Sequence, residues 1–341
     1  MAIITIIGAG MMGSGISRPA RENGHEVRLV GTVLDDHIID RLKQDNWHLN
    51  MKRTLPDGIS YYHFPELDAA LDGCDYVVGG VSSFGVEFFA REVLPHLKKG
   101  EKVLSVTKGL LDDEAGNLQT FPEYLATVRP DIAFSAIGGP CTSYELMDKH
   151  QTMVYFCGPD AEVLNEFKKL LSTDYYHIGI STDIRGVEGC AALKNAYACG
   201  VSLGIGLAEK LEGENAYMYN PQAALFGQSV REMTRLVKLL GGNPELAGGI
   251  PGAGDLFVTI FGGRTRMLGK LLGLGQSYPE VKAKLSGVTL EAVVIITVMS
   301  RALRRQAEAG KVDLRDYPLL LFLDGIINGN QTADIPWKSF R

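Results

Sequence analysis

The strongest constraint on this chain lies at its N-terminus. Ile3 to Ile7 form an apolar, mostly β-branched run of strand length, which ends directly in Gly8-Ala9-Gly10-Met11-Met12-Gly13 and leads into a helix-compatible stretch. A strand that turns through Gly-x-Gly-x-x-Gly into a helix is the dinucleotide-binding fingerprint in the context it requires. Gly8 serves the tight turn, Gly10 lets the backbone approach a pyrophosphate, and Gly13 lets the helix pack closely on the strand. The helix start, at Met11 and Met12, then offers free N–H groups and partial positive charge to phosphate. In a chain with 40 glycines the spacing alone says little. Its position after a strand gives it meaning.

The 341 residues suggest two domains at about 150 residues each. A hydrophobic fraction of 45% and a charged fraction of 22% are ordinary for a globular enzyme. The net charge of −6 argues against nucleic acid as a partner, since phosphate backbones want a basic surface. The five cysteines (Cys74, Cys141, Cys157, Cys190, Cys199) show no Cys-x-x-Cys pair and read as reduced, packed thiols of a cytoplasmic protein. The histidines are scattered, and no metal site is expected. No leader is expected either, because the first apolar run lacks a basic start and is cut by glycines. From Gly189 to Ala208 the only charge is Lys194. That stretch is long enough to span a membrane, but its central Lys-Asn, its small residues and its lack of basic flanks favour a buried helix of a soluble core.

Strand-like runs at Ile3–Ile7, Val27–Val30, Tyr76–Val78, Lys102–Val106, Ile132–Ile137, Thr152–Cys157 and Tyr175–Ile178 alternate with helix-like stretches such as Gly85–Leu97 and Ala161–Leu171. This alternation predicts βαβ units in a mostly parallel sheet, with ligands at the carboxyl ends of the strands. After about Thr182 the strand signals stop. Long amphipathic stretches at 183–209, 216–240, 288–309 and 317–327 read as helices. The expected architecture is α/β: a doubly wound nucleotide domain over 1–181, then an all-α substrate and catalytic domain over 182–341, with the active site in the cleft between them.

Several residues are candidates for chemistry. A lysine in an apolar helix must be paired or used, so Lys194 reads as a base with a depressed pKa, as a snorkelling lysine, or as a buried ion pair with Glu188 or Asp255. Lys108 follows a strand, at the end where ligands bind, and is otherwise a solvated loop lysine. Gly138-Gly139-Pro140-Cys141 also follows a strand and reads as a plain turn or as a close approach to a ligand. Asp255, before a helix-like stretch, reads locally as an N-cap. Gly262-Gly263-Arg264-Thr265-Arg266 reads as a solvated helix start or as a phosphate site. At the end of the second strand, Gly31-Thr32 stands where an acid for a ribose hydroxyl is expected, with Asp35 and Asp36 only later. No acid is thereby assigned to the ribose, and the cofactor is NAD or NADP.

Together, Gly-Ala-Gly-x-x-Gly, Thr107-Lys108-Gly109, Gly138-Gly139-Pro140, Ala192-Leu193-Lys194-Asn195, Gly254-Asp255-Leu256 and Gly262-Gly263-Arg264-x-Arg266 resemble the NAD(P)-dependent glycerol-3-phosphate dehydrogenases, from Ile3 to about Gly329. The resemblance implies a Rossmann-like domain, a helical domain, and interconversion of sn-glycerol 3-phosphate and dihydroxyacetone phosphate. It implies Lys194 as proton acceptor, Lys108 at substrate and cofactor, Asp255 beside the catalytic lysine, Thr259 helping to orient the ammonium, and Arg264 with Thr265 on the phosphate. Gly139, Cys141 and Ser143 would line the site. The cofactor would lie on Gly8, Gly10, Met11, Met12, Gly13, Thr32, Lys108, Ser143 and Arg264. The partners implied are a small phosphorylated substrate and a second copy in a homodimer, with neither nucleic acid nor membrane. Thr265 replaces the family's usual asparagine, so a related polyol phosphate remains an alternative substrate. A β-hydroxy-acid dehydrogenase is another reading, but that class carries asparagine four residues after its lysine, where this chain has Ala198. A non-enzymatic cofactor-binding sensor would need no proton acceptor.

Overall fold

The computed structural model describes residues 1–112 and 117–340, which form two compact units. The first comprises 1–108 and 120–188; the second comprises 109–119 and 189–341.

The first unit is built on an eight-stranded sheet. Its strands are β1 (Ile3–Ile7), β2 (Glu26–Val30), β3 (Ile59–Tyr62), β4 (Tyr76–Gly79), β5 (Lys102–Ser105), β6 (Ala133–Gly138), β7 (Thr152–Cys157) and β8 (Tyr176–Ser181). The order across the sheet is β8-β7-β6-β5-β4-β1-β2-β3. Every pair is parallel except β6 with β7, which is antiparallel. Strand order reverses between β1 and β4, the switch point at which doubly wound sheets bind ligands. Ile4, Ile6, Val27, Leu29, Val77, Val78 and Leu104 are buried, as strands covered by helices on both faces require.

Seven of these strands follow the apolar runs in the sequence. β3 does not, because Ile-Ser-Tyr-Tyr carries no continuous apolar signal. The expected helix over Gly85–Leu97 is a broken one: an α-turn at Val86–Phe88, a π-turn at Phe89–Val93, then a 3-10 turn at Leu94–His96. Pro95 lies in that last turn, where it lacks the N–H and clashes with the preceding turn of a regular helix. Between β2 and β3, α2 (Asp36–Asp45) ends at Asn46 in the left-handed region (φ 58°), and a short hairpin follows, with Trp47–His48 antiparallel to Arg53–Thr54.

The second unit is mainly helical, with long helices at Ile184–Glu212, Tyr219–Leu239, Glu291–Glu308 and Pro318–Gly329, and with Gly263–Gly273 between them. Ile184–Glu212 begins in the first unit and continues into the second. It carries Arg185, Glu188, Glu209, Lys210 and Glu212 as well as Lys194, so the lysine is the sole charge only of the central stretch. Its most apolar 18-residue window is 83% buried within the protein, which is the behaviour of a core helix. Tyr197, Leu203, Met233, Leu272, Ile296 and Leu323 belong to the core of this unit. Glu232 is buried there too. It accepts hydrogen bonds from Tyr197 Oη (3.0 Å), Gln228 Nε2 (2.7 Å) and the backbone N–H groups of Leu319 (2.8 Å) and Leu320 (3.0 Å). The carboxyl thus satisfies two amides in the first turn of Pro318–Gly329. Burial is the largest influence on it and raises its pKa, against the lowering by its four donors.

Candidate active site

In the first unit, α1 (Met11–Glu22) starts immediately after the glycine turn, with Gly10 as its N-cap. Gly8 has φ +112°, a backbone that side chains rarely tolerate. A Cβ on Gly8 would lie 2.7 Å from the carbonyl carbon of Gly80, and one on Gly13 would meet the Gly8 carbonyl oxygen. Gly8 and Gly13 therefore do what their spacing implied. Gly80, which sequence reasoning passed over, is the third member of the contact: a Cβ on it would lie 2.7 Å from Gly8 O and 2.9 Å from the Gly13 Cα. The available signal was Gly79-Gly80 at the end of a strand. Gly10 by contrast has open space around its Cβ position, with only Gly80 O at 3.7 Å, as a backbone that admits phosphate needs. The turn, the helix start and the absence of side chains at this switch point fit a dinucleotide.

Thr32 follows β2, and its N–H and hydroxyl both donate to Asp35 Oδ2, at 2.8 and 2.7 Å. The same oxygen accepts the Ala9 N–H at 3.2 Å. Gly31-Thr32 ends the second strand as read, and the acid that comes later reaches the fingerprint turn through this loop. Counting along the chain put Asp35 too far on, but the loop folds back and brings it to the fingerprint turn.

Two further loops at the carboxyl ends of strands are joined by a lysine. Lys108, after β5, donates from Nζ to the Gly139 carbonyl, after β6, at 3.0 Å. Thr107 Oγ1 donates to Val81 O at 2.7 Å, which ties the β5 loop to the β4 loop. Gly139 has φ +121°. Cys141 packs on the core of this unit, and Ser143 is buried at the start of the helix Ser143–Met147, where it faces Gly15 of α1.

In the second unit, Lys194 is 9% exposed and Asp255 is fully buried. Lys194 Nζ donates to Asp255 Oδ1. Of the two carboxylates considered for Lys194, Asp255 accepts from it. The local N-cap reading of Asp255 fails, because Gly254 is the N-cap of the short helix Asp255–Thr259, and the aspartate's carboxylate accepts from the lysine. A π-turn at Ile250–Gly254 leads into that helix. Thr259 Oγ1 donates to the Asp255 carbonyl at 2.6 Å, so it braces the aspartate's backbone.

Arg264 and Thr265 occupy the first turn of the helix Gly263–Gly273, where unpaired N–H groups and the helix dipole suit an anion. Arg264 is exposed and paired with both Glu291 carboxylate oxygens, at 3.0 and 3.1 Å; Thr265 is buried. Glycines set this helix against the lysine helix. A Cβ on Gly269 would meet the Cys199 carbonyl, one on Gly273 the Leu203 carbonyl, and one on Gly206 the backbone of Lys270. The paired positions 199 with 269 and 203 with 273 advance together, so the two helices run in the same direction at this contact. The second unit thus holds both a buried lysine–aspartate pair and a helix start that carries an arginine in its first turn.

The N-terminal part of the chain, residues 3–163, matches the family model described as NAD-dependent glycerol-3-phosphate dehydrogenase N-terminus, and residues 183–336 match the corresponding C-terminus. The chain is 34% identical over 285 residues to an NADP(+)-dependent glycerol-3-phosphate dehydrogenase of Archaeoglobus fulgidus, covering 83% of each chain. It is 30% identical to a glycerol-3-phosphate dehydrogenase [NAD(P)+] of Streptococcus gordonii, covering 85% of this chain and 83% of that one. Its fold is similar to that of the Coxiella burnetii glycerol-3-phosphate dehydrogenase, with TM-score 0.82 and 23% identity over 99% of this chain and 97% of that one.

Proposed function

We propose a mechanism on one premise: the chain belongs to the NAD-dependent glycerol-3-phosphate dehydrogenase family. The reaction is the NAD(P)-dependent interconversion of sn-glycerol 3-phosphate and dihydroxyacetone phosphate. The nicotinamide ring, when bound, supplies the hydride acceptor or donor. The chain's own residues hold the dinucleotide, anchor the phosphate and move one proton.

Gly8, Gly10, Met11, Met12 and Gly13 hold the pyrophosphate on the turn and on the first amides of α1. Thr32 and Ser143 border that site, and Lys108 and Gly139 fix the loops beside it. Arg264 holds the substrate phosphate by charge-assisted hydrogen bonds, with the Thr265 turn behind it, and exchanges Glu291 for that phosphate. Lys194, as the neutral amine, takes the proton from the C2 hydroxyl as hydride leaves C2, and in the reverse direction the ammonium so formed gives it to the carbonyl oxygen. Asp255 offsets the cost of burying the ammonium and fixes Nζ in place. Cys141 would complete the lining.

The observation that carries this reading is the buried Lys194–Asp255 pair. The test is oxidation of NADH or NADPH on addition of dihydroxyacetone phosphate, with 3-hydroxy acids as the control. Turnover with hydroxy acids alone would overturn it. We further place the protein in the cytoplasm, supported by five cysteines without a disulfide, as a supplier of sn-glycerol 3-phosphate to glycerophospholipid synthesis. A homodimer is supported by the exposed aromatic surface of the second unit, which includes Tyr217, Tyr219, Phe257 and Phe261. Light scattering on the purified chain tests that assembly.

A further inference from the structure

We propose that Asp35 and His48 are positioning residues for the dinucleotide: together they clamp Ala9, the residue between the first two fingerprint glycines, by its N–H and its C=O. The proposal rests on the reading that this turn binds the cofactor's pyrophosphate.

Ala9 is fully buried, and so is His48. His48 Nε2 lies 2.9 Å from Ala9 O, and the Met51 N–H lies 3.1 Å from His48 Nδ1. A carbonyl only accepts and an amide N–H only donates, so Nε2 carries the proton and Nδ1 the lone pair. The ring is therefore the neutral Nε2–H tautomer, donating to Ala9. Burial lowers its pKa and keeps that form in place. On the other side, Asp35 Oδ2 accepts the Ala9 N–H at 3.2 Å. Both side chains come from the segment between β2 and β3, and neither lies near the fingerprint in sequence. Asp35 is the N-cap of α2, and His48 sits in the hairpin that follows that helix.

The consequence follows from peptide planarity. The Ala9 carbonyl and the Gly10 N–H belong to one trans peptide and point in opposite directions. Holding the carbonyl toward His48 therefore turns the Gly10 N–H away from it, at the head of α1. The Ala9 N–H and the Gly8 carbonyl belong to the preceding peptide, and Asp35 fixes that plane in the same way. Two consecutive peptide planes of a glycine-flanked turn are thus set by side chains. Glycine-rich backbone loses the most conformational freedom on ordering, so setting it beforehand removes a cost that binding would otherwise carry.

The test uses the full chain and reads the dissociation constants of NADH and NADPH by fluorescence, the kinetics with dihydroxyacetone phosphate, and the thermal midpoint. His48→Phe and Asp35→Ala should each weaken dinucleotide binding about tenfold, as the loss of one buried hydrogen bond implies. At saturating dinucleotide, kcat should change by less than about threefold. His48→Gln, whose amide can still donate to Ala9, should recover most of the affinity, and Asp35→Asn, which keeps an acceptor, should do the same. These conservative variants carry the test if the severe ones fail to fold. Dissociation constants within twofold of wild type for folded His48→Phe and Asp35→Ala, or a tenfold loss of affinity in His48→Gln and Asp35→Asn, would overturn the clamp and leave the dinucleotide reading intact. A wild-type chain that binds neither NADH nor NADPH would overturn both.

Discussion

Lys194 donates to the carboxylate of Asp255 inside the second unit, where neither residue is more than 9% exposed. An ion pair taken out of water rarely stabilises a protein, since desolvation offsets the attraction. Its retention in an apolar core therefore points to chemistry. Lys194→Ala should lower kcat by about 10²–10⁴, the range of a placed proton-transfer group, and leave the NADH dissociation constant unchanged. Near-normal turnover in a folded variant would remove Lys194 from the mechanism. Asp255→Asn keeps the shape but removes the negative charge of the buried pair, so it should lower both kcat and stability, the latter by up to ~3–5 kcal/mol.

Arg264 is held by a carboxylate that a phosphate must replace. Arg264→Ala should raise KM for dihydroxyacetone phosphate by at least about tenfold, and Arg264→Lys should recover little, because an ammonium lacks the guanidinium fork. Glu291→Gln should act in the opposite direction. An exposed pair is worth ~0.2–1 kcal/mol, so its loss should lower KM by up to about fivefold. Steady-state kinetics on the three variants decides it, and a rise in KM for Glu291→Gln would show that Glu291 orients the arginine and does not compete for it.

How much of this was legible in the sequence depends on whether the signal was local. The β-branched runs of β1, β2, β4 and β5 announced themselves, because a strand buried on both faces must be apolar throughout. Gly8 and Gly13 were legible because their jobs are fixed by spacing from one strand. Asp35, Gly80 and His48 were not, since each reaches the fingerprint from another βα unit. Lys194 was conspicuous as a charge in an apolar stretch, but nothing in the sequence ranked Asp255 above Glu188 as its partner, and the structure shows the Asp255 pair. The Thr259 hydroxyl donates to the carbonyl one helical turn back, a bond the helix offers to any such threonine and one the sequence reading did not include.

The register of Gly269 and Gly273 on the lysine helix was also invisible in the sequence, and it can be tested. A methyl group on Gly269 would strike the Cys199 carbonyl and come within 2.6 Å of the Ser202 Cβ. Gly269→Ala should cost ~1–3 kcal/mol by overpacking. By displacing Arg264 it should also raise KM for dihydroxyacetone phosphate more than KM for the dinucleotide. Gly227→Ala is the control: this helical glycine has nothing within 4 Å of its Cβ position, so alanine there should stabilise by about 0.5–1 kcal/mol. Urea denaturation of the two variants should move in opposite directions.

Glu232 should behave as a structural carboxyl. Glu232→Ala leaves the Leu319 and Leu320 amides and the Tyr197 hydroxyl without their acceptor in the core. At ~1–3 kcal/mol for each stranded group, the loss should be large enough to lower the thermal midpoint well before activity is affected at low temperature. Glu232→Gln keeps an acceptor and should be milder. Equal midpoints for wild type and the alanine variant would show that water replaces the carboxyl.

His48 gives the stability a pH dependence whose sign follows from its burial. Its pKa in the folded protein is lowered from the ordinary value of 6.5, chiefly by burial, with the Ala9 carbonyl and the Asp35 charge opposing that shift. Below 6.5 the unfolded chain takes up a proton that the folded ring resists. The contribution of His48 is therefore fully present above 6.5 and is lost as pH falls toward the lowered value, by at most about 1.4 kcal/mol per pH unit. His48→Gln has no such proton to bind. Wild type should lose more stability than His48→Gln between pH 7.5 and 5.5, as read by urea denaturation, and identical losses would show that the ring titrates equally in the folded and unfolded chains.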